Sequence, residues 1–482
     1  MEILQLFGLP VASGFVSSRF IYKKSLMTRS VYCLCLLFSC FTCFSQDITG
    51  RLETALKAFE NDPQLSTALV SLYVVDGKSG KVILDRNSRT GLAPASTQKI
   101  ITSISAYELL GADFVYSTRF VHEKTGGRDV IRVYPSGDPT FGSPRYTATK
   151  PALIAAQLKN KMREAGIIRP QFLLADSLFE TQRIPDGWIW QDVGNYYGAG
   201  AGAFNWKENQ ADLLLQSGEK PGDPVTVKNY AALFPGVSAS SLVNELRTAA
   251  KGTGDNAYYY FGHGNRPGSQ AFLKGTIPAG EKNFSISIAL ADPWAVFLQE
   301  LQVESGSGAD PGRINLTQGK ELMVQTSPSL DSIIYWFNKK SINLYGEALM
   351  KAIGAKEAGV GAADKGIAVL QEFWGDKGIS KHELNMYDGS GLSPLNRITT
   401  HAQVTMLQFA KTRPWFAAFY DALPLYNNMK LKSGTISDVK GFCGYHRAAD
   451  GSEYVISFLV NNYNGRASEL VNKMYKVLNV LK

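Results

Sequence analysis

Apolar residues crowd 68–75 and recur in 81–85, and the polar, glycine-containing stretch Asp76-Gly77-Lys78-Ser79-Gly80 between them is a turn signal. The two runs therefore predict a hairpin. A helix is expected before it, near 48–60, and Pro94-Ala95-Ser96 opens an apolar helix that reaches about Leu110. Between 114 and 295 the rhythm changes. Short strands alternate with punctuation such as Ser136-Gly137-Asp138-Pro139 and Pro221-Gly222-Asp223-Pro224, and one amphipathic helix stands out near 151–165. From Pro293 helical spacing returns, through 294–303 and 328–353. Strands follow at 428–436, 439–447 and 453–461, and an amphipathic helix runs from Ala467 to Leu481. Helices and an antiparallel sheet at both ends predict one α/β domain made of 46–113 plus 296–482. It is split by a β-rich insertion, 114–295, expected to hold two small nested domains.

Composition narrows the class. The 482 residues are 45% hydrophobic and 19% charged, the balance of a globular chain with a large core. The formal charge of +8 is scattered rather than gathered in basic blocks, so nucleic acid is not implied as a partner. Thr28-Arg29-Ser30, an apolar run over 31–44 and the small residues Cys43 and Ser45 predict a secretory signal, with Met27 well placed as its start. Residues 1–45 are then expected to be an upstream extension and signal peptide, and the protein to be exported to the periplasm; a lipid anchor at Cys40 is the lesser alternative. No span is expected in the mature chain, where Cys443 alone remains and no intrachain disulfide can form. Homo-oligomerisation is left open.

The five histidines, His122, His263, His382, His401 and His446, fall in no zinc-binding pattern, and there is no Walker loop or G-x-S-x-G elbow. No metal or other cofactor is expected, and the Gly/Ala alternation at 198–202 is read as a flexible loop. A serine can instead be activated by a lysine one helical turn away. The S-x-x-K tetrad is weak by itself, because it occurs at Ser96, Ser217 and Ser437. Only Ser96 starts an apolar helix, where it would also suit an N-cap. Ser341-Ile342-Asn343 is the one S-x-N, at the junction of two helical segments. Of three K-[ST]-G triplets, Lys432-Ser433-Gly434 alone follows it, on a predicted strand. That completes the order of the penicillin-recognising serine enzymes.

Along almost the whole mature chain the sequence resembles the D-alanyl-D-alanine carboxypeptidase/endopeptidases of the class C low-molecular-mass penicillin-binding type. The resemblance runs through Pro94-Ala-Ser-Thr-Gln-Lys99, Gly137-Asp-Pro139, Gly187-Trp188, Asp192 with Tyr196-Tyr197, Ser341-Ile-Asn343, Asp388-Gly-Ser-Gly-Leu-Ser393 and Lys432-Ser-Gly-Thr435. It implies a penicillin-binding/β-lactamase-like transpeptidase domain, with the insertion between Ser96 and Ser341. The implied substrates are peptidoglycan stem peptides ending in D-Ala-D-Ala, with β-lactams as covalent inhibitors.

The resemblance also implies roles. Ser96 would be the nucleophile and Lys99, if neutral, its base; bringing a lysine from about 10.4 to 7 costs about 4 to 5 kcal/mol, within reach of burial and a second cation at Lys432. Ser341 would relay a proton to the leaving amine, and Asn343 would hold the substrate amide. Lys432, Ser433, Gly434 and Thr435 would bind the terminal carboxylate. Asp192 and Tyr197 would meet the diamino-acid side chain. Where the family often has an arginine for that side chain, Pro394 stands here, so either Arg397 substitutes or that contact is lost. A β-lactamase would need a deacylating carboxylate, and Glu383-Leu384-Asn385 has the wrong spacing for one. A non-catalytic wall-binding module is opposed by three intact motifs.

Overall fold

The computed structural model describes residues 48–234, 241–262, 271–305 and 319–482. The expectations placed on residues 1–45, on the four clustered cysteines and on His263 lie outside the described residues.

Both ends of the chain build one sheet. Its strands run, edge to edge, Leu425–Tyr426, Met429–Ile436, Val439–Arg447, Glu453–Asn461, Leu69–Asp76 and Val82–Arg86, each antiparallel to its neighbours. Alternation along Leu69–Asp76 sends Val70, Leu72 and Val74 to one face and Tyr73 and Val75 to the other. The first face packs on the helices Ile48–Glu60 and Ala467–Leu478. The second packs on a layer that includes Lys99–Leu110, Leu330–Lys339, Asn343–Glu357 and Thr400–Ala410. With both faces covered, the central strands can be apolar almost throughout; in Glu453–Asn461 only the two end residues are not buried.

The intervening chain has its own core. Among the described residues, Glu304–Ser305, Gln171–Leu174, Arg128–Tyr134, Ser117–Thr125 and Lys320–Thr326 form a second sheet, in which Gln171–Leu174 lies parallel to both its neighbours. Two smaller sheets are centred on Gln210–Gln216 and Ala271–Pro278. Phe120, Phe141, Trp206 and Phe297 meet at the centre of that core. The helix Pro293–Leu301 buries Phe297 and Leu301 there, and Lys320–Thr326 pairs with Ser117–Thr125. The chain therefore rejoins the first core at Leu330, not at 296. A short helix and strand give no periodicity that says which core they serve.

Two local departures matter for the site. Ser96 lies in a 3₁₀ turn, Ala95–Gln98, with the α-helix starting at Lys99. The stretch 198–202, expected to be flexible, is buried. A Cβ on Gly200 would stand 2.2 Å from the carbonyl oxygen of Arg183, so the glycine serves a close backbone approach.

Candidate active site

Ala95 takes φ 47°, a left-handed conformation that costs an L-residue roughly 1–2 kcal/mol. Two glycines press flush against the turn that holds it. A Cβ on Gly434 would come 2.6 Å from the Pro94 carbonyl oxygen and 2.9 Å from the Ser96 nitrogen; one on Gly391 would come 1.9 Å from the Ala95 oxygen. The Ser96 turn is thus clamped between the strand Met429–Ile436 and the loop at 388–391.

One residue after the turn, Lys99 is fully buried. Its Nζ lies 3.0 Å from Ser96 Oγ, 2.6 Å from Asn343 Oδ1 and 2.7 Å from the Ser390 carbonyl oxygen. The Asn343 amide is oriented by its other end, since Nδ2 donates to the Tyr197 carbonyl at 2.7 Å. Ser341, at φ 57°, breaks the chain between Leu330–Lys339 and Asn343–Glu357, and Lys432 Nζ donates to its Oγ at 3.1 Å. Lys432 also donates to the Ser433 carbonyl, 2.9 Å away.

Electrostatics act on both lysines. Lys99 is held well below the ordinary lysine range, chiefly by burial and then by the Lys432 cation, with Asp388 and Glu347 opposing. Lys432 is pushed down to about 7, again by burial first. Beneath them Glu347, fully buried, is pushed up to about 8 by burial and by Asp388 beside it. Asp388 accepts from Gly391 N, Ser393 N, Asn396 Nδ2, Gln98 Nε2 and Trp188 Nε1, and so knits the loop together.

Ser96, Ser341, Asn343 and Thr435 open on a cavity of about 610 Å³, which Asp192 and Tyr197 also line. Burial raises Asp192 above the usual carboxylate range, and a hydrogen bond from Tyr197 pulls it back down. Ser433 and Gly434 flank the cavity on the strand that carries Thr435.

The comparisons with known proteins decide the family. The profile of the D-Ala-D-Ala carboxypeptidase 3 (S13) family matches residues 52–480. The chain belongs to that family. It is 27% identical over 471 residues to a D-alanyl-D-alanine carboxypeptidase of Actinomadura sp., covering 87% of this chain and 84% of that one. It is 22% identical to the D-alanyl-D-alanine carboxypeptidase DacB of Haemophilus influenzae, covering 80% and 83%. Its fold is similar to the crystal structure of penicillin binding protein 4 from Haemophilus influenzae, with a TM-score of 0.71 at 19% identity over 86% of this chain and 97% of that one. The α/β fold with an antiparallel sheet expected from the sequence is the one this S13 chain shares with that structure.

One expected residue is elsewhere in this S13 chain. Arg397 is exposed on a short strand, and its guanidinium donates to the carbonyls of Pro394, at 2.6 Å, and Asn396, at 2.8 Å. Of the two, Pro394 lines the cavity and Arg397 does not. Glu383 does not line the cavity either and is bound to Arg89, Thr399 and His401. Lys432, read in the sequence as a second cation, is the residue that burial pushes down to about 7. Arg145, Glu208 and Lys340 also line the cavity; no motif or spacing marks Arg145 or Glu208 in the sequence, and Lys340 directly precedes the Ser341 triplet without belonging to it.

Proposed function

We propose that this S13 enzyme cleaves peptidoglycan stem peptides ending in D-Ala-D-Ala, outside the cytoplasm, through an acyl-enzyme on Ser96. The observation that carries the reading is the meeting of two lysine–serine pairs, Lys99 with Ser96 at 3.0 Å and Lys432 with Ser341 at 3.1 Å, on one cavity with Asn343 between them. Ser96 Oγ attacks the carbonyl of the penultimate D-alanine while Lys99 takes its proton. The backbone N–H groups of Ser96 and Thr435 face the developing oxyanion, where one donor is worth a factor of about 10² to 10³. Ser341 hands a proton to the leaving amine, and the C–N bond breaks. Lys432, Ser433 and Thr435 hold the terminal carboxylate, and Asp192 with Tyr197 meets the amine of the diamino-acid side chain. Water then hydrolyses the ester.

A leaving amine that belongs to a neighbouring stem peptide would make the same chemistry an endopeptidase reaction. A β-lactam presents an equivalent carbonyl and would be trapped on Ser96. Export to the periplasm rests on the signal read at residues 28–45.

Labelled penicillin followed by peptide mass mapping tests the reading. The expected adduct is on Ser96 and leaves slowly, since Glu383 does not line the cavity and is held by Arg89, Thr399 and His401. An adduct elsewhere, or turnover of many β-lactams per second, would sink it.

A further inference from the structure

The 610 Å³ cavity exceeds what a terminal dipeptide needs, and its lining includes two basic side chains, Arg145 and Lys340. Arg145 is the first element. Its Nε donates to both oxygens of Glu208, at 2.8 and 3.1 Å. Glu208 is buried and also accepts from Ser143 and Tyr345, each at 2.7 Å, so it anchors the guanidinium in one place. With Nε used, both Nη groups remain without a partner among the described residues, and they form the end-on fork that matches a carboxylate. The guanidinium carbon sits 5.6 Å from the centroid of the Trp336 ring.

Lys340 is the second element. Its N–H donates to the Trp336 carbonyl at 2.9 Å, which places it one helical turn from the residue whose ring Arg145 lies over. It is exposed, it lines the same cavity, and no ion pair or hydrogen bond within the described residues engages its ammonium. Arg145 is neutralised by Glu208, so the uncompensated positive charge at this end belongs to Lys340. The other unbalanced group is Asp192, an anion that also lines the cavity.

We propose that Arg145 and Lys340 form a carboxylate subsite, which takes an anionic group of the peptide upstream of the D-Ala-D-Ala bond. The proposal rests on the reading that stem peptides are the substrate. Two groups carry this chemistry: the carboxylate on a diamino-acid side chain, and the α-carboxylate of a γ-linked glutamyl residue before it. A charge-assisted, bidentate contact of this kind distinguishes an acid from an amide of almost identical shape.

The test uses three synthetic D-Ala-D-Ala stem peptides: one with both upstream carboxylates free, one amidated on the diamino-acid side chain, and one amidated on the glutamyl residue. Active enzyme is counted by titration with labelled penicillin. In the wild-type chain, one of the two amidations should lower kcat/KM about tenfold through KM, and which one does so identifies the source. In Lys340→Gln and Arg145→Lys the acid-to-amide ratio should fall towards one. Arg145→Lys loses part of the clasp on buried Glu208 and can fail to fold; Lys340→Gln and the wild-type comparison then decide alone. Equal kcat/KM for all three peptides in the wild type would overturn the subsite, as would variants that keep the wild-type ratio. If the wild type cleaves none of the peptides, the stem-peptide reading falls and takes the subsite with it.

Discussion

Lys99 has three neighbours, and their chemistry says which proton state they suit. Asn343 Oδ1 and the Ser390 carbonyl can only accept, whereas the Ser96 hydroxyl can give or take. A neutral amine, with two N–H bonds and one lone pair, satisfies all three if Ser96 donates to it, which is the arrangement a general base requires. Lys99→Arg keeps the charge but cannot lose it, and is too large for a fully buried place; penicillin acylation should fall by about 10² to 10⁴. Near-normal labelling of that variant would refute the role. Lys432 supplies the second test. Burial depresses its pKa to about 7, so the cation that would meet the substrate carboxylate is present below that pH and lost above it. The plot of kcat/KM for a D-Ala-D-Ala peptide should therefore bend downward above about pH 7, approaching a tenfold loss per pH unit. A profile flat to pH 9 would return Lys432 to the ordinary range. Residue identity was legible for Ser96, Lys99, Ser341, Asn343 and Lys432, because each belongs to a short motif with fixed spacing. Arg145 was not marked at all, being a single arginine in a turn, whereas Arg397 drew notice only by its nearness to Pro394; packing decides which of the two lines the cavity.

Among the elements, the strand Met429–Ile436 and the turn Ala95–Gln98 fit only because residue 434 has no side chain. Gly434→Ala drives a methyl into the Pro94 carbonyl and the Ser96 nitrogen. The strand must lift, at a cost of about 1–3 kcal/mol if it behaves like other overpacked sites. A lower Tm together with at least tenfold slower penicillin acylation is expected. Unchanged values of both would mean that the strand is not seated on the turn. The strands themselves were readable to within a residue or two at 429–436, 439–447 and 453–461, where apolar runs end at turns. The turn at 95–98 was read as the start of an α-helix, because nothing local marks the left-handed Ala95. Its strain is held by Gly391 and Gly434, both far along the chain.

At the scale of the molecule, the intervening chain reaches back into the site: Tyr197 offers its carbonyl to Asn343, and Trp188 Nε1 donates to Asp388 at 2.9 Å. Ser117 and Thr326 are cross-strand partners, so residues 117–326 begin and end about 5 Å apart and can be excised across a short bridge. If such a chain folds, its acylation by penicillin should be at least tenfold slower than that of the full chain, since two buried polar groups lose partners worth about 1–3 kcal/mol each. A full rate in the excised chain would make 48–116 with 327–482 self-sufficient for acylation. Sequence by itself determined the order of the three motifs, the strand and helix pattern of both ends, and the resemblance that the S13 profile then showed. These are carried by neighbours along the chain, where spacing and periodicity speak directly. Only the tertiary structure decided that the insertion ends after Thr326, that Tyr197 orients Asn343, and that Arg145 rather than Arg397 faces the cavity. Each of these joins residues distant in sequence, and such contacts are set by how the two cores pack, which no one-dimensional pattern records.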